Sequence, residues 1–303
     1  MNAMVKSLLI MLALVFSLQT YAQSEIRVED KKLSELLPSF FFQSFNISPI
    51  TKIAFNSIGV CYTGEAKLVY VSDKPIVNFP SVNKKYKAFV YDLITNESSR
   101  LDTRNLCDLD NNDFNIAGIA LDDSNSFMIV AMNDYRKNEF MAQSRIILSH
   151  IDISYGFSQC ATPPFVQLGY TYTQPYFDSK ENYLYFSSDI DGGKGGLDIY
   201  RVKMLGPNLW GEMEAMDEIN TINNDVYPFV DGDGRLYYST LTGKNGFDVF
   251  CYYEGLSRPI RLPSPINSRL DDLNFVQIGD KDAFITRTSG NSQSTVIYRL
   301  LAF

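Results

Sequence analysis

Beyond its first two dozen residues the chain consists of short apolar stretches that alternate with polar positions. Clusters of Gly, Asn, Asp and Pro interrupt these stretches throughout. Alternation with period two in runs this short is the pattern of half-buried β-strands bounded by turns. Helical periodicity is confined to Asp30 to Leu37, enough for about two turns. The pattern predicts an all-β protein.

The strand runs repeat. Leu184-Tyr-Phe-Ser-Ser-Asp189 returns as Leu236-Tyr-Tyr-Ser-Thr240, and more loosely as Leu68 to Asp73, Met128 to Asp134 and Ala283 to Thr288. A Gly turn and a further strand follow, Gly195-Gly-Leu-Asp-Ile-Tyr200 in one copy and Asn245-Gly-Phe-Asp-Val-Phe250 in the next, which places Asp198 and Asp248 at equivalent positions. Lys87 to Leu93, Arg145 to Ile151 and Thr295 to Leu300 are looser counterparts. A third element, Ile219-Asn220-Thr221 followed by Asp225 and Pro228, is echoed by Ile266-Asn267-Ser268 followed by Asp272 and Phe275.

A unit of about fifty residues with three or four antiparallel strands cannot cover its own faces. Packing such units radially around an axis buries the faces and leaves only short edges. The repeat therefore predicts a β-propeller of about five four-stranded blades, covering 51–106, 107–168, 169–222, 223–270 and 271–303. The last unit ends after its third strand. The segment 23–50, through Phe40 to Asn46, is expected to supply the missing strand and close the ring.

At these residues the chain resembles the PD40 repeats, WD40-like units related to the TolB propeller and common in cell-envelope proteins of Bacteroidota. The resemblance rests on Leu184-Tyr-Phe-Ser-Ser-Asp-Ile-Asp-Gly-Gly-Lys-Gly-Gly-Leu-Asp-Ile-Tyr-Arg201, continuing into Trp210-Gly-Glu212 and Ile219-Asn-Thr221. It is specific over 172–250 and weak on either side. It implies a periplasmic protein-interaction module, not a catalyst, whose partner is an envelope protein such as an outer-membrane transporter or secretion component. Relatives often carry an OmpA-like peptidoglycan-binding domain after the propeller. The sequence ends at Phe303 without one, so direct anchoring to the cell wall is not expected.

The N-terminus fits that destination. Lys6 precedes the apolar run Leu8 to Phe16, and Thr20-Tyr21-Ala22 supplies small residues for signal-peptidase cleavage near Ala22 or Gln23. The apolar run is short against the roughly 20 residues of a membrane span. Residues 1–22 are read as a signal peptide and the mature chain as periplasmic or associated with the outer membrane. The first cysteine is Cys61, so a lipid-modified Cys at the cleavage point is not expected. Cys61, Cys107, Cys160 and Cys251 are an even set that permits two disulfides in three connectivities or buried free thiols.

The formal net charge is −8, and a nucleic-acid partner would need a basic face. Runs of Lys and Arg suited to anionic lipid are absent as well. Candidate chemistry is sparse. Asp189, Asp191 and Asp198 on the glycine-rich stretch Gly192–Gly196 suit a hard cation such as Ca²⁺. The EF-hand spacing and its closing Glu are missing, and a tight strand connection capped by Asp is the simpler reading. Asp108, Asp110, Asn112 and Asp113 invite the same two readings. Gly243-Lys244-Asn245 lacks the Ser/Thr and following helix of a phosphate loop. His150 is the single histidine, has no nucleophile motif beside it, and excludes an all-His metal site.

No catalytic residue, metal or cofactor is therefore expected. A carbohydrate-binding or glycoside-hydrolysing propeller is the alternative, because five-bladed glycosidases place two or three acids in the axial funnel. The acids here recur with the repeat, which points to turn-holding roles. The longest connections, Lys74 to Tyr86 and Tyr135 to Ser144, are the expected partner-binding loops. An outer-membrane β-barrel, suggested by terminal Phe303 and Tyr-rich strands, conflicts with runs shorter than barrel strands.

Overall fold

The computed structural model describes residues 31–303 apart from 53–54, 75–85, 104–105, 107–113, 135–144, 153–155, 244–245 and 289–293. For residues 114, 133–134, 150–152 and 156–159 it describes the backbone alone. The strands form five four-stranded antiparallel sheets, the five blades that the repeat predicts. Blade 1 holds β2 (Ser57–Tyr62), β3 (Lys67–Ser72), β4 (Lys87–Asp92) and β5 (Glu97–Arg100). Blade 2 holds β6 (Phe114–Leu121), β7 (Phe127–Asp134), β8 (Arg145–Asp152) and β9 (Gly156–Ala161). Blade 3 holds β10 (Tyr172–Asp178), β11 (Tyr183–Ser188), β12 (Asp198–Gly206) and β13 (Leu209–Ala215). Blade 4 holds β14 (Asp225–Val230), β15 (Leu236–Leu241), β16 (Phe247–Tyr252) and β17 (Ile260–Arg261).

Blade 5 is assembled from both ends of the chain. Its β18 (Asp272–Ile278), β19 (Asp282–Thr288) and β20 (Thr295–Ala302) are joined by β1 (Phe45–Pro49). Strand β1 pairs antiparallel with β20, Phe45 opposite Ala302 and Pro49 opposite Tyr298. This strand lies later than the Phe40 to Asn46 expected from the sequence. Ser39–Phe42 forms a 3-10 turn instead, after the short helix α1 (Leu33–Leu36). The reason is packing. Phe41 is buried between Tyr237 of blade 4 and Phe275 of blade 5, at ring distances of 5.9 and 5.7 Å. A strand would point alternate residues to opposite faces, whereas the turn sinks both Phe40 and Phe41 into the core. Tyr253 fixes the wedge by donating to the Leu36 carbonyl at 3.2 Å.

The core lies between blades rather than within them. One apolar cluster fills the gap between blades 1 and 2, another that between 2 and 3, and a third that between 3 and 4. A larger one runs through blades 4, 5 and 1 and takes in Leu36, Leu37, Phe40 and Phe41. Alternating strand residues serve the two sides. Leu184 and Phe186 face blade 2, and Tyr185 faces blade 4. Burial of such large side chains stabilises each interface by about 1.5–3 kcal/mol per residue.

The Asn and Asp of the third repeated element hold the crossing from one blade to the next. The side-chain amide of Asn220 bonds both the N–H and the C=O of Ile199 in β12. Asn267 does the same to Val249 in β16, at 2.7 and 2.9 Å. Asp225 then accepts from the Thr221 amide and from the Thr240 hydroxyl. Asp272 likewise accepts from the Ser268 amide, and Arg287 stands where Thr240 does. At the ring closure Thr51 takes over half of the Asn role. Its hydroxyl accepts the N–H of Ile297 at 3.0 Å, the residue of β20 equivalent to Ile199.

Candidate functional site

Each innermost strand carries one β-bulge at the same height, between Ile58 and Cys61, Ile116 and Gly118, Thr173 and Tyr176, Val226 and Phe229, and Leu273 and Val276. In four blades a residue of the bulge takes positive φ: Gly59 at 69°, Gln174 at 51°, Tyr227 at 57° and Asn274 at 50°. Bulges of this kind twist the strand and re-aim a side chain. Here they interlock between neighbouring blades around the axis. Asn274 Oδ1 accepts the N–H of Val60 from blade 1, and Gln174 Oε1 accepts that of Tyr227 at 3.4 Å. Gly118 lies so near Pro175 that a Cβ there would sit 2.8 Å from the proline Cδ.

The axis is therefore plugged. At the height of the bulges, among the described residues, the cavity lined by Gly59, Val60, Cys61, Gly118, Ile119, Gln174, Pro175, Tyr176, Tyr227, Pro228, Phe229, Asn274 and Val276 holds about 20 Å³. None of these is an acid or a histidine. Desolvation pushes the Cys61 thiol up to about 11 and the Tyr227 phenol up to about 12, so both are neutral at pH 7 and neither is an activated nucleophile.

The two ends of the ring carry its connections. The upper end, where each innermost strand begins, carries the blade-to-blade crossings and the connections between second and third strands. In blade 3 that connection is the glycine-rich stretch. Asp198 Oδ2 accepts the amides of Lys194 and Gly195 at 2.7 and 2.9 Å, and Lys194 Nζ donates to the Asp217 carbonyl. A Cβ on Gly195 would overlap the Asn223 carbonyl, so the glycines allow the loop to lie against the next crossing. Asp189 accepts the Thr171 amide, and Asp191 bonds the Tyr170 hydroxyl. In blade 4, Asp248 accepts from the Thr242 hydroxyl and pairs with Arg261. Asp198 and Asp248 thus occupy equivalent places and bond within their own blades. Leu168 and Ile222, on successive crossings at this end, are 95% and 85% exposed.

The lower end carries turns held by recurring carboxylates. Asp122 accepts the amides of Ser126 and Phe127, Asp178 that of Lys180, and Asp231 those of Asp233 and Arg235. A half-open cleft of about 350 Å³ lies between the Asp231 turn of blade 4, the Gly279–Asp280 turn of blade 5 and the N-terminal wedge, lined by Ser39, Gln43, Asp231, Asp233, Arg235 and Asp280 among others. Arg235 is committed to Asp231 and Asp233 at 3.2 and 2.6 Å. An apolar groove on blades 2 and 3 is formed by Phe127, Leu148, Met204, Leu205 and Pro207.

The loop residues 75–85 and 135–144, the acids Asp108 to Asp113, and Lys244-Asn245 lie outside the described residues. The strands on either side of the two loops, β3 and β4 in blade 1 and β7 and β8 in blade 2, meet the upper end of neighbouring blades. His150 lies in β8 opposite Phe127. Cys61 and Cys251 are free thiols and Cys160 is disulfide-bonded, while Cys107 lies outside the described residues. No three His, Cys, Asp or Glu among the described residues are grouped to hold a metal, and no helix among them is long and apolar enough to cross a membrane.

The closed axis and five blades define the protein as a five-bladed β-propeller. Solved propellers similar to it include a glycoside hydrolase (TM-score 0.53, 11% identity, 85% of this chain and 90% of that one). They also include a TolB protein of Agrobacterium tumefaciens (0.48, 14%, 82% and 80%) and TolB of Acinetobacter baumannii (0.46, 10%, 84% and 56%). The chain spans just over half of the latter and about a third of a prolyl endopeptidase that it also resembles. No family model matches the sequence, and no curated protein does.

Proposed function

We propose that the protein is a non-catalytic interaction module of the cell envelope, a PD40-type propeller exported by its N-terminal signal and bound to an outer-membrane or secretion component. The observation that carries this reading is the plugged axis. In a catalytic propeller of this size the axial funnel is where acids converge on a substrate, and here interlocked bulges without a carboxylate or histidine fill it. Among the described residues, Asp122, Asp178, Asp225, Asp231 and Asp272 are engaged in turns and crossings. The disulfide at Cys160 supports an oxidising compartment. Exposed Leu168 and Ile222 lie on the upper end, where β3 and β7 finish, which favours that end as the binding face.

The test is recovery of the partner from native envelopes, with the chain crosslinked in place and identified by mass spectrometry. Replacing residues 75–85 and 135–144 by short Gly-Ser links is expected to preserve folding and abolish recovery of an envelope protein. The carbohydrate alternative draws on the polar cleft beside Asp233 and Asp280. Hydrolysis of a glycan by the purified protein, lost on one Asp→Asn change, would replace the binding reading.

A further inference from the structure

A cleft of about 190 Å³ opens between the crossing that follows β1 and the face of blade 1. Thr51 and Lys52 line it from the crossing, Lys74 from beyond the end of β3, and Asn96 and Ser98 from the last turn and outer strand of the blade. The buried Tyr70 and Tyr91 line it from β3 and β4. The hydrogen bonds around it run one way. The Tyr70 hydroxyl donates to Ser98 Oγ at 3.1 Å, the Tyr91 hydroxyl to Asn96 Oδ1 at 3.1 Å, and the Ile297 N–H to Thr51 Oγ1 at 3.0 Å. Each acceptor keeps hydrogens of its own, one on a hydroxyl and two on an amide nitrogen. Ser98, Thr51 and Asn96 are left with side-chain donors that no acceptor among the described residues takes up.

The two lysines are equally uncommitted. The Lys74 ammonium lies 5.6 Å over the Phe89 ring, and neither Lys74 nor Lys52 has a carboxylate partner among the described residues. No Asp or Glu lines the cleft. The stretches 51–55 and 74–87, to which the lysines belong, contain no acid in the sequence, and the second adds Lys84 and Lys85. Asp73, next to Lys74 in the chain, is held by the backbone N–H and side-chain amide of Asn56, both at 2.8 Å. In a chain of net charge −8, two unpaired ammonium groups and three neutral donors share a cleft without a counter-charge.

We propose that this cleft binds a small oxyanion, a carboxylate or phosphate group carried on a sugar-sized polar body. Lys52 and Lys74 meet the charge through charge-assisted hydrogen bonds, and Thr51, Asn96 and Ser98 donate to the remaining oxygens. The space is that of about six water molecules, more than a bare phosphate ion fills and less than the roughly 300–1,000 Å³ of pockets for drug-sized ligands. The half-buried Phe55 on its wall offers an apolar surface to the carrier. Ion pairs this open to solvent are weak, so Kd is expected at about 1 mM.

The test is titration calorimetry of the mature protein at fixed ionic strength with glucuronate, glucose 1-phosphate, glucose and inorganic phosphate. Saturable binding of glucuronate or glucose 1-phosphate is expected, and the preferred one tells a carboxylate ligand from a phosphate. Neutral glucose should not bind, and inorganic phosphate should bind more weakly. Lys52→Gln and Lys74→Gln are each expected to weaken binding by about two- to fivefold at unchanged melting temperature, and the double variant to remove the saturable signal. Lys67→Gln, on the same blade but paired with Glu65 at 3.5 Å, should bind as the wild type does. Binding needs no envelope partner, so it and partner recovery can fail separately. No binding of either sugar anion, binding of glucose or inorganic phosphate as tight as theirs, or binding retained in the double variant would overturn the assignment.

Discussion

Asn220 Oδ1 accepts the N–H of Ile199 at 2.8 Å, and Asn220 Nδ2 donates to the carbonyl of the same residue at 2.9 Å. One side-chain amide thus stands in for a strand at the point where the chain leaves blade 3. Replacing it by Ala leaves a buried N–H and a buried C=O without that partner. Asn220→Ala is expected to cost about 2–4 kcal/mol, read as a lower urea midpoint at unchanged slope. Asn220→Asp keeps the acceptor alone and should fall between the two.

Asp225 predicts an acid-dependent effect. Burial raises its carboxyl above the ordinary value of 3.8, against the hydrogen bonds of Thr240 and Thr221. A raised folded-state value means that the folded form holds its proton more tightly. The associated stability is fully present below the unfolded value and is lost as pH rises through the folded one. Asp225→Asn is expected to match or exceed the wild type in stability near pH 7. That advantage should shrink as pH falls through the raised folded-state value towards the ordinary carboxylate range, followed by chemical unfolding at each pH.

Arg287 joins Asp272 to the crossing between blades 4 and 5. Its Nε meets Asp272 Oδ1, and Nη2 donates to the carbonyls of Pro265 and Ile266. Both members of the pair are buried. Arg287→Met strands the Asp272 carboxylate and is expected to destabilise by about 3–5 kcal/mol. The double variant Arg287→Met/Asp272→Asn should recover most of that loss in the same unfolding assay.

Phe41 tests the wedge. Phe41→Ala removes a ring shared by blades 4 and 5 and is expected to cost about 3–5 kcal/mol. Deleting residues 31–49 also bares the outer edge of β20, so the deleted form should lose a single cooperative melt by calorimetry.

Much of this architecture was legible where residue types repeat. The Asn and Asp of 220/225 and 267/272 announced themselves because both crossings use identical chemistry. The crossing into blade 1 was not legible as a copy, since Thr51 reproduces with a hydroxyl only the accepting half of what Asn220 does with an amide. The strand expected at Phe40 to Asn46 was misplaced because adjacent apolar residues fit a strand and a buried turn equally in the sequence. Only the pocket between Tyr237 and Phe275 decides for the turn. The plugged axis was invisible for a different reason. Tyr227 and Gln174 adopt a left-handed conformation that neither residue advertises, and neighbouring blades hold them there.

The pairing of Phe45 with Ala302 has a consequence for the order of events during synthesis. The first strand of the chain cannot find its partner until the last residues exist, so four blades can form while the fifth waits. Closure is a long-range step with a large loop entropy behind it. Until then the edge of β1 and the Leu36–Phe41 surface are open to association with other chains. The last strand, β20, then acts as a latch that sets when the ring becomes safe from aggregation.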